Sequence, residues 1–336
     1  MRIVFTLILA IFLQSNLYSQ GCCSGSTGNP IVGGAAAGVL QKYQMEVSSS
    51  FQSNSSNKFL SGTKDTVGMI YEKLGSNYLF FRTDYGLTDK LTLSFASGYF
   101  LDKTLTKLGD ENRLSTKGIS DIILLPRYNI FNKSTKQHRT ELTLGIGAKI
   151  PVGSHTDSVH VYADVWDLKP PTIQLSTGGV DKMFYSFFFR EYKKQRFRVF
   201  TNTMYIQRGY NSLNEKFGNY VSISAFAGKS YRNWSFTTQL KIEYIGQLQA
   251  TPQKLIDLSE NSFDLISWQE KQSSTGSDKL FFVPQLGYSK NGITIFATTD
   301  IPLYQNLNGI QVSSQKQFAI GINYRFLTKD CSSELQ

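Results

Sequence analysis

The feature that most restricts how this chain can fold is the sorting of its connections by length. Stretches with apolar residues at every second position are joined alternately by short and long links. The alternating stretches run over Tyr43–Gln52, Asn77–Gly86, Leu91–Phe100, Ile119–Phe131, Arg139–Ile150, Lys182–Tyr192, Arg196–Arg208, Gly218–Lys229, Trp234–Gln247, Lys279–Tyr288, Ile293–Ile301 and Gln317–Phe326. Leu87–Lys90, Asn132–Gln137, Lys193–Gln195, Ser230–Asn233 and Ser289–Gly292 are the short links. Ser53–Ser76, Asp102–Gly118, Pro151–Asp181, Gly209–Phe217, Leu248–Ser277 and Pro302–Gln315 are the long ones.

A period of two belongs to strands, whose successive side chains point to opposite faces. Any one of these stretches would also suit a soluble sandwich, but a sandwich has no reason to place its long loops at one end. An outer-membrane barrel does, with tight turns on the inside and longer loops outside. The expected fold is therefore all-β: a transmembrane antiparallel up-and-down β-barrel of about 12 strands, spanning residues 41–327. Lipid cannot satisfy an open sheet edge, so the sheet must close, and the period leaves no room for helices in it.

The last stretch shows the pattern most plainly. Phe318, Ile320, Ile322, Tyr324 and Phe326 fall on one face, and Ala319, Gly321, Asn323 and Arg325 on the other. The first face suits lipid and the second a wet lumen. Past the N-terminus no apolar run reaches the roughly 20 residues a membrane helix requires.

Residues 1–20 read as a signal peptide: Arg2, an apolar core from Ile3 to Leu13, then polar residues up to Ser19 and Gln20. Residues 21–40 form a Gly/Ser/Cys-containing leader too small-sided for a plug domain, and 328–336 a periplasmic tail. Cys22, Cys23 and Cys331 lie outside the strands. With an even strand number both termini share the oxidising periplasmic side, which allows a terminal disulfide, a small thiolate metal site or an unconstrained tail.

A net charge of +10 would suit nucleic acid, but no Lys/Arg block is interleaved with stacking aromatics, and an exported chain rarely meets it. Lipopolysaccharide and anionic solutes are the expected counterparts. Ionisable groups on the face opposite the apolar alternation should line the lumen: Glu46, Arg82, Asp84, Asp121, Arg127, Glu141, Lys149, Arg196, Arg198, Lys241, Glu243 and Arg325. They either fill the interior as ion pairs or set the selectivity of a pore. Their basic excess predicts a preference for anions. Arg196 and Arg198, two apart on one strand and about 7 Å from each other, are expected to reinforce that field, or else to pair with Glu191 or Glu215.

His138 falls in a short turn. His155, Asp157 and His160 fall in the long link Pro151–Asp181, with no regular element to fix them and no fourth ligand, so a surface loop is expected rather than a metal site. No nucleophile motif accompanies the histidines, so no catalytic residues and no cofactor are expected.

Several phrases occur in the order of a known family: Tyr85-Gly-Leu-Thr-Asp-Lys-Leu91, Gly118-Ile-Ser-Asp-Ile122, the run from Gly145 ending Ile150-Pro-Val-Gly153, Ile173-Gln-Leu-Ser-Thr-Gly178 and Pro302-Leu-Tyr-Gln-Asn-Leu-Asn-Gly-Ile-Gln311. From Tyr85 to Phe326 the chain resembles the outer-membrane barrel family named for the meta pathway of phenol degradation. The Cys22-Cys23 leader resembles those on Bacteroidetes-type barrels. The resemblance implies a transporter or channel for hydrophobic or aromatic compounds. The expectation is thus a monomer in the outer membrane, put there by the barrel assembly machinery, surrounded by lipid and lipopolysaccharide, and passing or binding a small-molecule solute. The alternative is a scaffold barrel that binds a partner through its outer loops, Leu248–Ser277 above all.

Overall fold

A computed structural model describes residues 38–68, 71–107, 113–162, 165–315 and 317–329. The expected signal peptide, most of the leader and Cys22, Cys23 and Cys331 lie outside these residues. Twelve strands form the wall: β1 Gln44–Ser56, β2 Tyr71–Gly86, β3 Leu91–Lys107, β4 Ile122–Ser134, β5 His138–Ile150 and β6 Asp181–Tyr192. They continue as β7 Phe197–Gln207, β8 Tyr220–Tyr231, β9 Trp234–Ile245, β10 Ser277–Lys290, β11 Ile293–Val312 and β12 Gln317–Leu327. Each pairs antiparallel with its neighbours in sequence, and β12 pairs back onto β1, from Gln44 opposite Leu327 to Asn54 opposite Gln317. That pairing closes the sheet and removes both edges.

The short links are tight turns. Between β10 and β11 the turn passes through Asn291 and Gly292, with φ of 50° and 79°, the left-handed geometry that suits the twist of a two-residue hairpin. The long links gather at the other end, as their lengths required.

Face assignments follow the alternation. On β12, Phe318, Ile320, Ile322 and Tyr324 are 44 to 47 % exposed, whereas Ala319 and Asn323 are 8 and 7 % exposed. Gly321 faces inward against Phe296, whose ring leaves no room for a side chain: a Cβ at 321 would lie 2.4 Å from its Cζ. Phe81, Phe95, Phe236 and Ile242 carry the same apolar outer face around the wall.

Three expectations need correction. The strands outrun their apolar alternation at the loop end, as β1 to Ser56, β3 to Lys107 and β11 to Val312. There neither face meets hydrocarbon, and Leu105 and Val312 turn inward to pack, so no regular alternation marks them. Phe59–Gly62 pairs onto the end of β11 and Arg113–Ile119 onto β3, extending the wall outward, and Ile119 belongs to that loop strand rather than to β4.

The link Leu248–Ser277 is not an irregular loop but a helical hairpin, α1 Pro252–Ser259 and α2 Ser262–Ser273. Local chemistry starts both helices. Thr251 accepts a hydrogen bond from the Lys254 amide ahead of Pro252, and Asn261 accepts one from the Phe263 amide. Periodicity excluded helices from the wall and had no bearing on a loop above it.

The link Pro151–Asp181 is not wholly a surface loop. A strand pair, Ser158–Tyr162 with Val165–Leu168, precedes a 3₁₀ turn at Pro171–Ile173 that packs into the barrel mouth. Ile173 is fully buried among Phe59, Leu74, Leu105 and Val312.

A charge on the lipid face should be costly. Ile322→Lys, at the middle of β12, is expected to destabilise the barrel by about 2–4 kcal/mol. The same change at Leu327, at the strand end, should cost about 1 kcal/mol or less. Urea unfolding in lipid vesicles measures both.

Candidate functional site

The lumen is filled in layers. At the short-turn end Arg325 meets Glu46 at 2.5 Å, and Glu46 also accepts from Arg82 Nη2 at 3.0 Å. Arg82 Nε lies 2.9 Å from Asp84 Oδ2, and Arg127 Nη2 donates to Asp84 Oδ1 at 2.9 Å. Four strands, β1, β2, β4 and β12, thus send alternating charges to one buried chain of ion pairs. Glu141 on β5 joins this end, bound by Arg139 at 2.9 Å and by Thr143, and it accepts the Val39 amide at 3.2 Å. The last residues of the leader therefore enter the lumen, with the Leu40 amide donating to Thr92 Oγ1 at 2.8 Å.

Beside this chain of charges the interior is apolar. Tyr78, Phe80, Phe100, Tyr185, Phe187 and Phe200 are buried in one cluster, with Phe226 stacked on Phe200 at 4.2 Å between ring centroids. Sequence reasoning missed this layer because β6, reading Met-Phe-Tyr-Ser-Phe-Phe-Phe from Met183, is apolar on both faces and gives no inward signal.

Near the loop end charges return. Lys149 pairs closely with Asp121 and lies 3.6 Å from Asp181, which Arg208 Nη1 contacts at 2.7 Å. Across the lumen Lys241 bridges Glu243 at 3.2 Å and Asp300 at 2.6 Å, and the Tyr220 hydroxyl donates to Glu243 at 2.9 Å. Asp181, Arg208 and Asp300 were not singled out from the sequence. The first two sit at the ends of alternating stretches, but Asp300 shares the inward parity of Phe296 and Thr298 and was there to be found.

Of the residues expected in the lumen, Arg82, Asp84, Asp121, Arg127, Glu141, Lys149, Lys241 and Glu243 are buried inside the wall, and Arg325 is half-buried beside Glu46. Arg198 is half-buried on β7, opposite Glu191 of β6. Arg196 is not on a strand: it is exposed in the turn before β7, at φ 50°. The turn runs one residue further than the alternation implied, so the two arginines do not project together. Nor do the other cations make an open basic field, because carboxylates from neighbouring strands sit against them. Glu215, the other suggested partner of these arginines, lies at the opposite end of the barrel.

Two adjoining cavities lie at the loop end. The outer, a vestibule of about 460 Å³, is walled by the helical hairpin and by the link Pro151–Asp181. The inner, a chamber of about 120 Å³, is lined by Tyr78, Phe100, Asp121, Lys149, Thr172 and Arg208 among others. Pro171, Gln174, Ser176 and Phe217 line both, so the inserted stretch 171–176, with Phe217, is the partition between them. Gln174 fixes that partition: its amide nitrogen donates to the Asp157 and Lys169 carbonyls at 2.9 and 3.0 Å, and its own carbonyl accepts from Lys103 Nζ at 2.7 Å. Asp157, expected as a loose loop residue, is part of this brace through its backbone. His155 bonds Ser212 at 2.8 Å, and His160 packs edge-on to Trp166. Among the described residues no three His, Cys, Asp or Glu side chains gather as a metal set.

The hairpin roof is held by Glu215, in the short strand Glu215–Lys216 paired with Gln249–Ala250. Lys254 of α1 and Lys271 of α2 reach its two oxygens at 2.7 and 2.9 Å. Burial opposes the charge, but Lys271 and Lys254 outweigh it and hold the Glu215 carboxyl below the usual carboxylate range.

No family model matches the chain, and no curated protein matches it. Among solved structures it is similar to the COG4313 outer membrane channel from Pseudomonas putida F1, with 12 % identity over 88 % of this chain and 100 % of that one, at a TM-score of 0.60. The fold is shared. This chain is a closed, twelve-stranded antiparallel barrel of the outer-membrane kind. Two further barrels match below a TM-score of 0.5: the β domain of the Bordetella autotransporter Brka (9 % identity, 85 % of this chain and 100 % of that, 0.46) and the NanC porin (11 %, 83 % and 98 %, 0.41).

Breaking the inner chain of ion pairs should be costly. Asp84→Asn leaves Arg82 and Arg127 short of charge, and is expected to cost about 3–5 kcal/mol in urea unfolding. Arg139→Gln, at a half-exposed pair, should cost about 1 kcal/mol or less. The Glu215 clasp should follow the sign of its shift: a depressed carboxyl gives stability that is fully present above the ordinary carboxylate value of about 4.3 and is lost as pH falls through the folded value. Protection of residues 252–273 against hydrogen exchange, corrected for the intrinsic rate at each pH, should therefore be insensitive to pH near neutrality and fall in acid, while Glu215→Gln lowers it already at neutral pH.

Proposed function

We propose that the protein is an outer-membrane channel for a small-molecule solute, entered from the loop side through the vestibule and the inner chamber. The observation that carries this reading is the pair of adjoining cavities, divided by residues of an inserted loop and by Phe217. An exported barrel of this kind would lie among outer-membrane lipid and lipopolysaccharide, placed by the assembly machinery. The buried aromatic layer below the chamber, and the resemblance to the family named for the meta pathway of phenol degradation, favour a solute with an apolar or aromatic body.

A second reading, a scaffold barrel that binds a partner through its loops, draws support from the outward face of the helical hairpin. Leu255, Ile256, Phe263 and Ile266 are exposed there. Planar-bilayer conductance separates the two. The native protein should conduct, and replacing residues 170–176 with a short Gly-Ser link, which removes the partition, should raise conductance several-fold. If neither protein conducts, the channel reading falls and the scaffold reading stands.

A further inference from the structure

We propose that the outer wall carries a binding site for an anionic phospholipid of the periplasmic leaflet, with an acyl chain in a groove across β9–β12 and the headgroup on the basic turns beside it. The proposal rests on the barrel's place in the outer membrane and is independent of conduction.

The first observation is where the charge lies. The five short links carry seven lysines and arginines against one aspartate, whereas the six long links carry eleven against fourteen aspartates and glutamates. The basic excess of the connections therefore sits on the rim formed by the short turns. In outer-membrane barrels those turns face the periplasm, where the adjoining leaflet is phospholipid.

The second is a groove in the lipid-facing wall at the same end. About 390 Å³ lies between Trp234, Leu286, Tyr288, Ile295, Ala297 and Ile320. Strand register puts them in two adjoining outward rows, Trp234 opposite Tyr288 opposite Ile295, and Leu286 opposite Ala297 opposite Ile320. Ala297 makes the hollow, because a single methyl group stands where its neighbours carry longer side chains. This face of the wall meets hydrocarbon, so the occupant is an apolar chain.

The two features meet at the turns. Trp234 and Tyr288 close the groove there, edge to face with ring centroids 5.0 Å apart, as rings do where hydrocarbon gives way to headgroups. The Asn233 side-chain amide donates to the Tyr288 hydroxyl at 3.3 Å, and the Ser289 backbone amide to the Asn233 carbonyl at 2.8 Å. The turns bearing Arg232 and Lys290 are thus tied to each other and to the ring. Both cations are exposed. Lys229 faces out of β8 opposite Phe236, which is opposite Leu286, so two strand spacings, roughly 10 Å, separate it from the groove. An ammonium on that face is costly unless it reaches an anion at the interface. A phosphate beside Tyr288 supplies one.

The same charges restrict what else can fill the groove. A second barrel inserted the same way up would bring its own basic turns against these, and like charges oppose that contact. A water-soluble acidic protein could meet the turns but not a groove that opens into hydrocarbon.

The test uses the full-length barrel in phosphatidylcholine nanodiscs and reads tryptophan quenching by brominated acyl chains, supplied as phosphatidylglycerol or as phosphatidylcholine. Trp234 borders the groove, while Trp166 and Trp268 lie in the long links and give a constant background. Native protein should be quenched by the phosphatidylglycerol at about a tenfold lower mole fraction, a preference that cations near the surface can supply. Lys229→Gln with Arg232→Gln and Lys290→Gln should make the two lipids equal. Ala297→Phe fills the groove and leaves every cation in place, and it should move the phosphatidylglycerol curve to higher mole fraction. Equal quenching of native protein by the two lipids, or a preference that survives the triple change, overturns the site. An unchanged curve in Ala297→Phe overturns it too, since a basic rim alone would then explain the preference. Quenching that disappears when two barrels share a disc gives the groove to a second copy and overturns the lipid. Conductance enters none of these readouts, so failure here leaves the channel reading standing.

Discussion

Everything in this structure follows from the inability of lipid to hydrogen-bond a peptide group. A spanning sheet must satisfy each N–H and C=O within itself, and β12 does so by pairing with β1 over eleven registered positions. Closure then divides every strand into a face that meets hydrocarbon and a face that meets only the interior. The outer face is simple, because any apolar side chain serves there. The inner face has to fill a space whose width is set by strand number.

At twelve strands that space is narrow enough to be largely occupied by side chains. The chain fills it with two chemistries. Arg325, Glu46, Arg82, Asp84 and Arg127 form a buried relay of alternating charge at the short-turn end, and aromatic rings from β2, β3, β6 and β7 fill the middle. Such a charge relay adds little net stability over apolar packing, since desolvation offsets the attraction, but each member is expensive to remove alone. Pairing also keeps the interior polar without giving it a strong sign of charge, so a basic sequence does not translate into a basic lumen. Only near the loops does packing give way to cavities. There the inserted turn at Pro171–Ile173, anchored by Ile173 among apolar neighbours and braced by Gln174, divides the free space in two.

The alternation and the order of long and short links, both local properties, specified the wall: the strand number, the antiparallel order, the end at which the loops gather, and the outward set on β12. They could do so because a strand between lipid and lumen carries a period of two whatever it packs against. They also placed most of the charged residues inside, since a charge in lipid is costly wherever it lies along a strand. Where that cost vanishes the sequence fell silent. The strand extensions past the membrane carry no alternation, and the helical hairpin was hidden because its caps at Thr251 and Asn261 are short-range signals in a stretch that reads as merely polar. Arg196 was misplaced because the turn runs one residue further than the alternation implied and takes Arg196 off the strand.

Which charge meets which, which inward rings touch, and where space is left empty were decided only by the closed barrel. Arg325 and Glu46 are 279 residues apart, and Asp121 meets Lys149 only because β5 lies beside β4 and the loops fold over both. These pairings depend on register and curvature, which are set once, by closure, and are written in no single stretch of chain. So the sequence determined that this protein is a barrel and which side of most strands faces in. The tertiary structure alone determined what the inside can hold, because a cavity is bounded by residues from many strands and belongs to none of them.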